Sequence, residues 1–324
     1  MHKLPIGVLG ASGYAGRELC LLVERHPHFE LAFAAAHSRA GEVLHLPGRD
    51  LTLASMEAVA LADAAIVFSA LPHGASALWV AKAQSAGAKV IDLSADLRPG
   101  QEDDATPGID APYGLPELNR DAIRTATVVA NPGCYPTATL LGLLPLVTRD
   151  LIVPGSAVIV DAASGVTGAG NSPRADLLFG EVTEDFRAYG VGNSHRHLGE
   201  MRATLDACGA DVDLLFTPHL LPVARGILAT ITVTLREPLA DATALYRTHY
   251  AVEPFVEIAT APPRLHDVVH RNAVRIFVTP VQHARAPMLQ IFVAIDNLVK
   301  GAAGQAIQNA NLLCDFDETA GLPL

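Results

Sequence analysis

Residues 1–130 alternate between short, continuously apolar runs and stretches with a helical period. Ile6-Gly7-Val8-Leu9 reads as a buried strand and runs directly into Gly10-Ala11-Ser12-Gly13-Tyr14-Ala15-Gly16. Leu19, Leu22 and Val23 then fall on one face of a predicted helix, with Arg17, Glu18 and Glu24 off that face. Residues 31–36, 65–69 and 89–93 read as further strands, with a helix predicted over 76–86, and 128–130 as a short strand stopping at Asn131-Pro132-Gly133. A strand, a glycine-rich turn, a helix and a second strand in that order predict a parallel, doubly wound α/β sheet.

Beyond about residue 150 the texture changes. Residues 157–160, 214–216, 227–235, 274–278 and 289–295 read as longer, more widely spaced strands, as in an α+β domain with a mixed or antiparallel sheet. A helix is predicted over 302–313, after a break at Lys300-Gly301. The change places a domain boundary near residue 134.

Composition narrows the function. The 324 residues accommodate about two domains, and 50% hydrophobic against 18% charged residues is enough for large cores. The formal net charge of -11 argues against a nucleic-acid partner, which needs a basic stripe. The richest apolar run, 140–147, is interrupted by Gly142 and Pro145 and is too short to span a membrane. Met1-His2-Lys3-Leu4-Pro5 lacks the apolar core of a secretory signal, and Cys20, Cys134, Cys208 and Cys314 are widely spaced. The expectation is a cytoplasmic protein with reduced thiols, no disulfide framework and no cysteine-based metal site.

Gly10, Gly13 and Gly16, with Ser12, Tyr14 and Ala15 between them, sit where a strand feeds a helix. Small residues there let backbone N–H groups and the helix dipole meet a pyrophosphate. The second strand ends in Ala36-His37-Ser38-Arg39 rather than in an acidic residue. Ser38 and Arg39 suit a ribose 2′-phosphate, so the expected cofactor is NADP.

Asn131-Pro132-Gly133-Cys134-Tyr135-Pro136-Thr137 lies between a strand and an apolar helix, with Pro136 in the first helical turn. Cys134 is expected just before the helix start, where the dipole favours a thiolate. In a nicotinamide enzyme such a thiolate can hold an acyl group as a thioester that accepts hydride. The other three cysteines read as buried spacers.

These segments resemble the N-acetyl-γ-glutamyl-phosphate reductases, which share a fold with aspartate-semialdehyde and glyceraldehyde-phosphate dehydrogenases. The similarity runs in order through Gly10–Gly16, Leu71-Pro72-His73-Gly74, 92–98, 113–117, 131–137, 164–170, His195-Arg196-His197, 222–227 and 296–301. It implies a Rossmann-type NADP-binding domain over 1–134 and 302–324, the C-terminal helix packing back on it. It also implies a dehydrogenase-like catalytic and dimerisation domain over 135–301. The implied reaction is NADPH-dependent reduction of N-acetyl-L-glutamyl 5-phosphate to the semialdehyde, in arginine biosynthesis, by a homodimer or homotetramer. Cys134 is then the nucleophile, His197 the acid/base with His195 beside it, and Leu71, Pro72, His73 and Gly74 join the cofactor site. Arg98 contacts the phosphate, and Asn131, Tyr189 and Arg225 complete the substrate set. Two positions depart from the pattern: Asn171 stands where an arginine is expected, and Gly199 where proline is common.

The remaining candidates follow from chemistry. His195 and His197, two residues apart, face the same way only in extended or loop structure, and His219 is the runner-up acid/base. Phosphate and carboxylate groups favour arginine, giving Arg98, Arg174, Arg196 and Arg225 as candidates. Ser164 and Gly165, in a small-residue turn, are candidate backbone donors to an anion of the cofactor. A metal site is not expected. The alternatives are a reductase of aspartyl or carrier-bound aminoadipyl phosphate, a non-catalytic NADP-sensing protein, or a cysteine hydrolase. The last leaves the nucleotide loop unexplained.

Overall fold

The computed structural model describes residues 3–101 and 108–324; Met1 and His2 of the N-terminal segment lie outside them. The chain divides into two compact units, 1–133 with 302–323, and 134–301 with Leu324.

The first unit begins with β1 (Leu4–Leu9), α1 (Tyr14–Arg25) and β2 (Phe29–Ala36). An antiparallel hairpin of β3 (Val43–Leu46) and β4 (Arg49–Thr52) and the short β5 (Ala54–Ser55) follow. Then come β6 (Ile66–Ser69), α2 (Ser76–Ser85), β7 (Lys89–Asp92), α3 (Pro116–Thr125) and β8 (Val128–Ala130). The sheet order is β5-β2-β1-β6-β7-β8 and every pairing in it is parallel. This is the doubly wound sheet the apolar runs predict. Parallel strands covered on both faces need unbroken apolar runs, and β6 and β8 are buried at every residue.

The C-terminal helix (Gly304–Leu313) belongs to this unit and is buried at all ten positions. Its polar residues are therefore hydrogen-bonded. Asn309 donates to Gly114 O (2.9 Å) and to Asn131 Oδ1 (3.0 Å), while Asn131 donates to Ala302 O (3.2 Å). Asn311 donates to the carbonyls of Glu318 and Ala320. The expected break at Lys300-Gly301 is absent: both residues lie in a π-helical turn, Val299–Ala303, that leads into this helix.

The second unit opens with α4 (Cys134–Val147). It continues with β9 (Ser156–Gly165), α5 (Phe179–Val182), β10 (Arg187–Ala188), α6 (His197–Ala207), β11 (Val212–Leu221) and β12 (Ile227–Thr234). The remaining elements are α7 (Ala242–His249), β13 (Val256–Ile258), β14 (Val274–Pro280) and β15 (Met288–Ile295). The mixed sheet runs β10-β11-β9-β12-β15-β14-β13, parallel only at β11–β9 and β13–β14.

Gly142 and Pro145 do not interrupt α4. Pro145 has no N–H for the carbonyl of Leu141, and that oxygen instead accepts the Tyr250 hydroxyl at 2.5 Å. The Gly142 carbonyl accepts the Tyr246 hydroxyl at 2.6 Å. A Cβ on Gly142 would stand 2.7 Å from Ile231 Cδ1, so the glycine lets the sheet approach the helix.

Candidate active site

In the first unit the loop from Gly10 to Gly16 is fixed by its own backbone. Gly10 has φ +79°, and a Cβ there would stand 2.4 Å from Ala70 O; one on Gly16 would stand 2.2 Å from Gly10 O. Ala11 N–H donates to Ala35 O, tying the loop to β2. At Gly13 the nearest obstacle to a Cβ is 3.4 Å away, so the side facing Gly13 is open. Gly13 precedes α1, whose N-terminus has no side-chain cap and no acid in its first turn. Uncapped N–H groups on an open glycine loop fit a dinucleotide's pyrophosphate. Ser12, Tyr14 and Ala15 line this loop, with Tyr14 exposed.

Ser38 and Arg39 form the turn after β2. Arg39 donates to Glu42 (2.8 Å) and reaches Ser12 O (3.4 Å) of the loop, so its guanidinium stands beside the glycines but already shares a carboxylate. Leu71, Pro72, His73 and Gly74 form the loop between β6 and α2. The Asp96 carboxylate accepts N–H groups of Gly74, Ser76 and Ala77 at 2.7–3.0 Å and pairs with His73 at 2.7 Å. Burial alone would raise Asp96, but these donors hold it below the usual carboxylate range. Asp96 thereby caps α2, occupying the donors an anion would seek there.

Two expected substrate residues of the first unit have partners within the protein. Arg98 is 7% exposed and donates to Asn131 O (2.8 Å) and Leu93 O (2.6 Å), so its guanidinium is turned into the unit on main-chain carbonyls. Asn131 is fully buried, and its amide is engaged by Asn309 and Ala302. It clasps the C-terminal helix. Next to them, fully buried Asp92 accepts the hydroxyls of Ser76 (2.6 Å) and Ser94 (2.7 Å). Burial raises its carboxyl despite these bonds.

In the second unit Cys134 is the first residue of α4, one position further in than expected, and half-buried. Its thiol stands where helix N–H groups and dipole converge. Burial pushes Cys20 up to about 12 and raises Cys208 and Cys314; Cys20 is buried as expected, whereas Cys208 and Cys314 are half-buried. None of the four forms a disulfide.

Around α4 lies a cluster of rings. Tyr135 meets His195 (5.6 Å), His197 (6.1 Å) and Phe216 (5.1 Å) between centroids; His195 meets His197 at 4.8 Å and Tyr189 at 5.6 Å. His197 opens α6 and His195 precedes it, so the turn into the helix, rather than a strand, brings the two rings together. His195 Nδ1 accepts the His197 N–H at 3.1 Å, which assigns the proton of neutral His195 to Nε2. Burial, with help from Arg196, pushes His195 down to about 4. A neutral ring that caps a helix orients its neighbour, the buried His197.

His219 turns away: its ring stacks on Phe186 at 5.0 Å, and only its carbonyl comes near Tyr135, at 3.4 Å. Of the arginines, Arg174 is bonded to Asp176 through two nitrogens, and Arg225 grips fully buried Asp296 at 3.0–3.3 Å. Arg225 is thus held by a carboxylate of the protein. Arg196 is exposed, and its charge acts on both His195 and Tyr189. Ser164 and Gly165 are not a turn but the end of β9: Ser164 lies between Leu220 and Ile227, and the Gly165 N–H is donated to Gly226 O at 2.9 Å. Asn171 lies in an exposed loop, and Gly199 sits in the first turn of α6. Among the described residues no group of His, Cys, Asp and Glu is placed to hold a metal ion.

Sequence reasoning did not single out Asp96, Asp296 or Tyr135 as site-building residues. Tyr135 alone had a local signal, its place next to Cys134.

Two family models match these units. Residues 5–126 match the semialdehyde dehydrogenase NAD binding domain, and 134–297 the semialdehyde dehydrogenase dimerisation domain. Fold and site therefore define the class as a semialdehyde dehydrogenase. A protein of Geobacter sp. (strain M21) called N-acetyl-gamma-glutamyl-phosphate reductase is 42% identical, over 99% of this chain and 98% of its own. One of the same name from Cellvibrio japonicus is 42% identical over 98% and 97%. The chain belongs to this reductase family. Aspartate semialdehyde dehydrogenase II from Vibrio cholerae, solved with ASA, has the same fold (TM-score 0.77, 21% identity, 97% of this chain and 99% of that one). So does the Candida albicans aspartate semialdehyde dehydrogenase solved with NADP (TM-score 0.70, 16% identity, 96% and 98%).

Proposed function

We propose that the protein reduces N-acetyl-L-glutamyl 5-phosphate to N-acetyl-L-glutamate 5-semialdehyde, releasing phosphate, as a step of arginine biosynthesis. The observation that carries this reading is Cys134 on the first turn of α4, adjoining the Tyr135, His195 and His197 rings. The Cys134 thiolate attacks the acyl carbon; the carbon–sulfur bond forms and the bond to the phosphate oxygen breaks. The Gly10–Gly16 loop would hold NADPH, Ser38 and Arg39 would receive its 2′-phosphate, and the coenzyme would supply a hydride to the thioester carbon. His197 protonates the resulting oxyanion and takes that proton back as the carbon–sulfur bond breaks, returning the thiolate. Arg196, exposed beside this cluster, is the cation for the substrate's anionic ends.

The test is the reverse reaction with N-acetylglutamate semialdehyde, NADP and phosphate, set against aspartate semialdehyde. Phosphate-dependent NADPH formation with the first and not the second is expected; the opposite preference refutes the assignment. Binding of NADP with no turnover of either would make the chain a sensor.

The working form is a cytoplasmic homodimer or homotetramer. No helix among the described residues is long and apolar enough to cross a membrane. Exposed Ile159 and Leu215 face each other across β9 and β11, an apolar pair on the open sheet face that supports self-association. Light scattering on the purified chain reads the state directly.

A further inference from the structure

Two segments of the second unit interlock residue by residue. Arg225, between β11 and β12, grips the Asp296 carboxylate at 3.0–3.3 Å, and the Gly226 N–H is donated to Asn297 Oδ1 at 2.7 Å. Asn297 donates in turn to Thr167 Oγ1 at 2.9 Å, and that hydroxyl donates to Ala224 O at 2.6 Å, closing the ring on the residue before Arg225.

Asp296 does more than neutralise an arginine. It is fully buried; its Oδ1 accepts the N–H groups of Leu298 (2.7 Å) and Val299 (3.2 Å), and its Oδ2 accepts that of His270 (2.7 Å). The carboxylate thereby opens the π-helical turn Val299–Ala303 as a side-chain oxygen caps a helix. The main-chain carbonyl of Asp296 accepts the Gly301 N–H at 2.9 Å. A Cβ on Gly301 would stand 3.1 Å from that carbonyl and 2.8 Å from Cys134 Cβ, so Gly301 is wedged between Asp296 and the nucleophile's own residue. The path from the Arg225 guanidinium to Cys134 is continuous: an ion pair, a capped turn, a main-chain hydrogen bond and a packing contact.

Stability alone does not account for this arrangement. A buried ion pair gains little over apolar side chains of the same volume, because desolvating both charges offsets their attraction. What it supplies is direction: a forked guanidinium and three main-chain donors aimed at two oxygens admit one placement of the turn.

We propose that Asp296, held by Arg225, is a positioning residue for the Cys134 nucleophile, fixing the turn that sets Gly301 behind it. Arg225 then serves the reaction through Asp296 and Gly301 rather than by gripping a substrate anion. The effect on turnover rests on the reductase reading; the effect on the thiol does not.

The experiment compares full-length Arg225→Gln and Arg225→Lys with wild type, at a temperature where melting curves show them folded. Arg225→Gln should lower kcat about 10- to 100-fold, the cost of a slightly displaced reacting group, with KM within about twofold. Iodoacetamide alkylation of Cys134, followed at one pH by peptide mass mapping, should become faster, because a thiol no longer backed by a fixed turn gains room. Arg225→Lys keeps the charge but not the fork, and should recover part of kcat. Wild-type kcat and alkylation rate in folded Arg225→Gln overturn the proposal, as does a defect confined to KM, which would put the guanidinium on the substrate. Should wild type fail to turn over the semialdehyde, the reductase reading falls while the alkylation rates still decide the thiol's placement. Should Arg225→Gln not fold, Arg225→Lys decides: smaller changes in the same directions support the proposal, and wild-type values overturn it.

Discussion

Gly301 stands against Cys134: a Cβ on it would lie 2.8 Å from Cys134 Cβ and 3.3 Å from its Cα. The π-helical turn Val299–Ala303 presents this glycine to the first turn of α4, so the thiol's position depends on the absence of a side chain 167 positions along the chain. Gly301→Ala must push one backbone segment away. Overpacking of this kind costs about 1–3 kcal/mol, and here the displaced atoms carry the nucleophile. The variant should lose far more of its kcat than its few degrees of Tm. Full activity would show that α4 shifts without consequence.

Cys134→Ser keeps the helix start and removes the sulfur. A serine hydroxyl has no ready anion at neutral pH, so turnover should fall by orders of magnitude. NADP binding, read by fluorescence titration, should stay nearly unchanged, because the glycine loop is built from β1, β2 and α1. Mass spectrometry of wild type mixed with acyl phosphate and no reductant should find an adduct on Cys134. Its absence would remove the covalent route.

What the sequence discloses and what it hides divide along one physical line. Residues whose placement is set by near neighbours in the chain are legible: Gly10 and Gly16 after an apolar run, Cys134 where a strand's end meets a helix. Residues whose role is set by distant partners were not. Nothing near Arg225 announces Asp296, nothing near Arg98 announces the carbonyls of Leu93 and Asn131, and nothing near Pro145 announces the Tyr250 hydroxyl. An arginine reads as an anion binder until its carboxylate partner is found.

His26 couples the first unit's stability to pH. Its ring is fully buried, stacked on Phe29 at 3.9 Å, with Nε2 at 3.0 Å from Asn311 Oδ1 and Nδ1 accepting the His28 N–H at 3.1 Å. A second ring proton would face that N–H donor. Burial, the largest cause, pushes His26 down to about 4, while an unfolded histidine titrates near 6.5. Between those values the unfolded chain binds more protons, so stability is fully present above about 6.5 and is lost as pH falls towards 4. The loss is roughly 2–3 kcal/mol. His26→Gln should flatten the fall of Tm between pH 6.5 and 4; an unchanged slope would assign it to other groups, His195 first, whose shift has the same sign.

Arg196 and Arg225 separate two uses of arginine. Arg225 is bound to fully buried Asp296, which also accepts the N–H groups of Leu298 (2.7 Å) and His270 (2.7 Å). Removing it strands a buried carboxylate, so Arg225→Gln should cost about 3–5 kcal/mol of stability. Arg196 is exposed and acts on the ring cluster through its charge. Arg196→Gln should raise KM for the acyl phosphate about 10- to 100-fold, the worth of a charge-assisted hydrogen bond, with little change in Tm. Melting curves and KM for both variants decide it; an Arg196→Gln defect that follows Tm would make it structural.

Arg39 bears on which nicotinamide coenzyme is used, and its partner makes the test sharper. Its guanidinium is shared between Glu42 and, more distantly, Ser12 O of the glycine loop. If it also receives a 2′-phosphate, Arg39→Ala should weaken NADP binding about tenfold and leave NAD binding alone, since NAD lacks the group Arg39 would meet. Glu42 competes for the same cation and repels a phosphate, so Glu42→Gln should move affinity the other way, tightening NADP and not NAD. The pair is exposed, so both effects should shrink as salt is raised. Equal loss of NADP and NAD affinity in Arg39→Ala would mean that the residue only holds the loop, leaving discrimination to Ser38. Titrating both coenzymes against wild type, Arg39→Ala and Glu42→Gln at two ionic strengths separates these cases, because only a direct phosphate contact makes the two variants move in opposite directions.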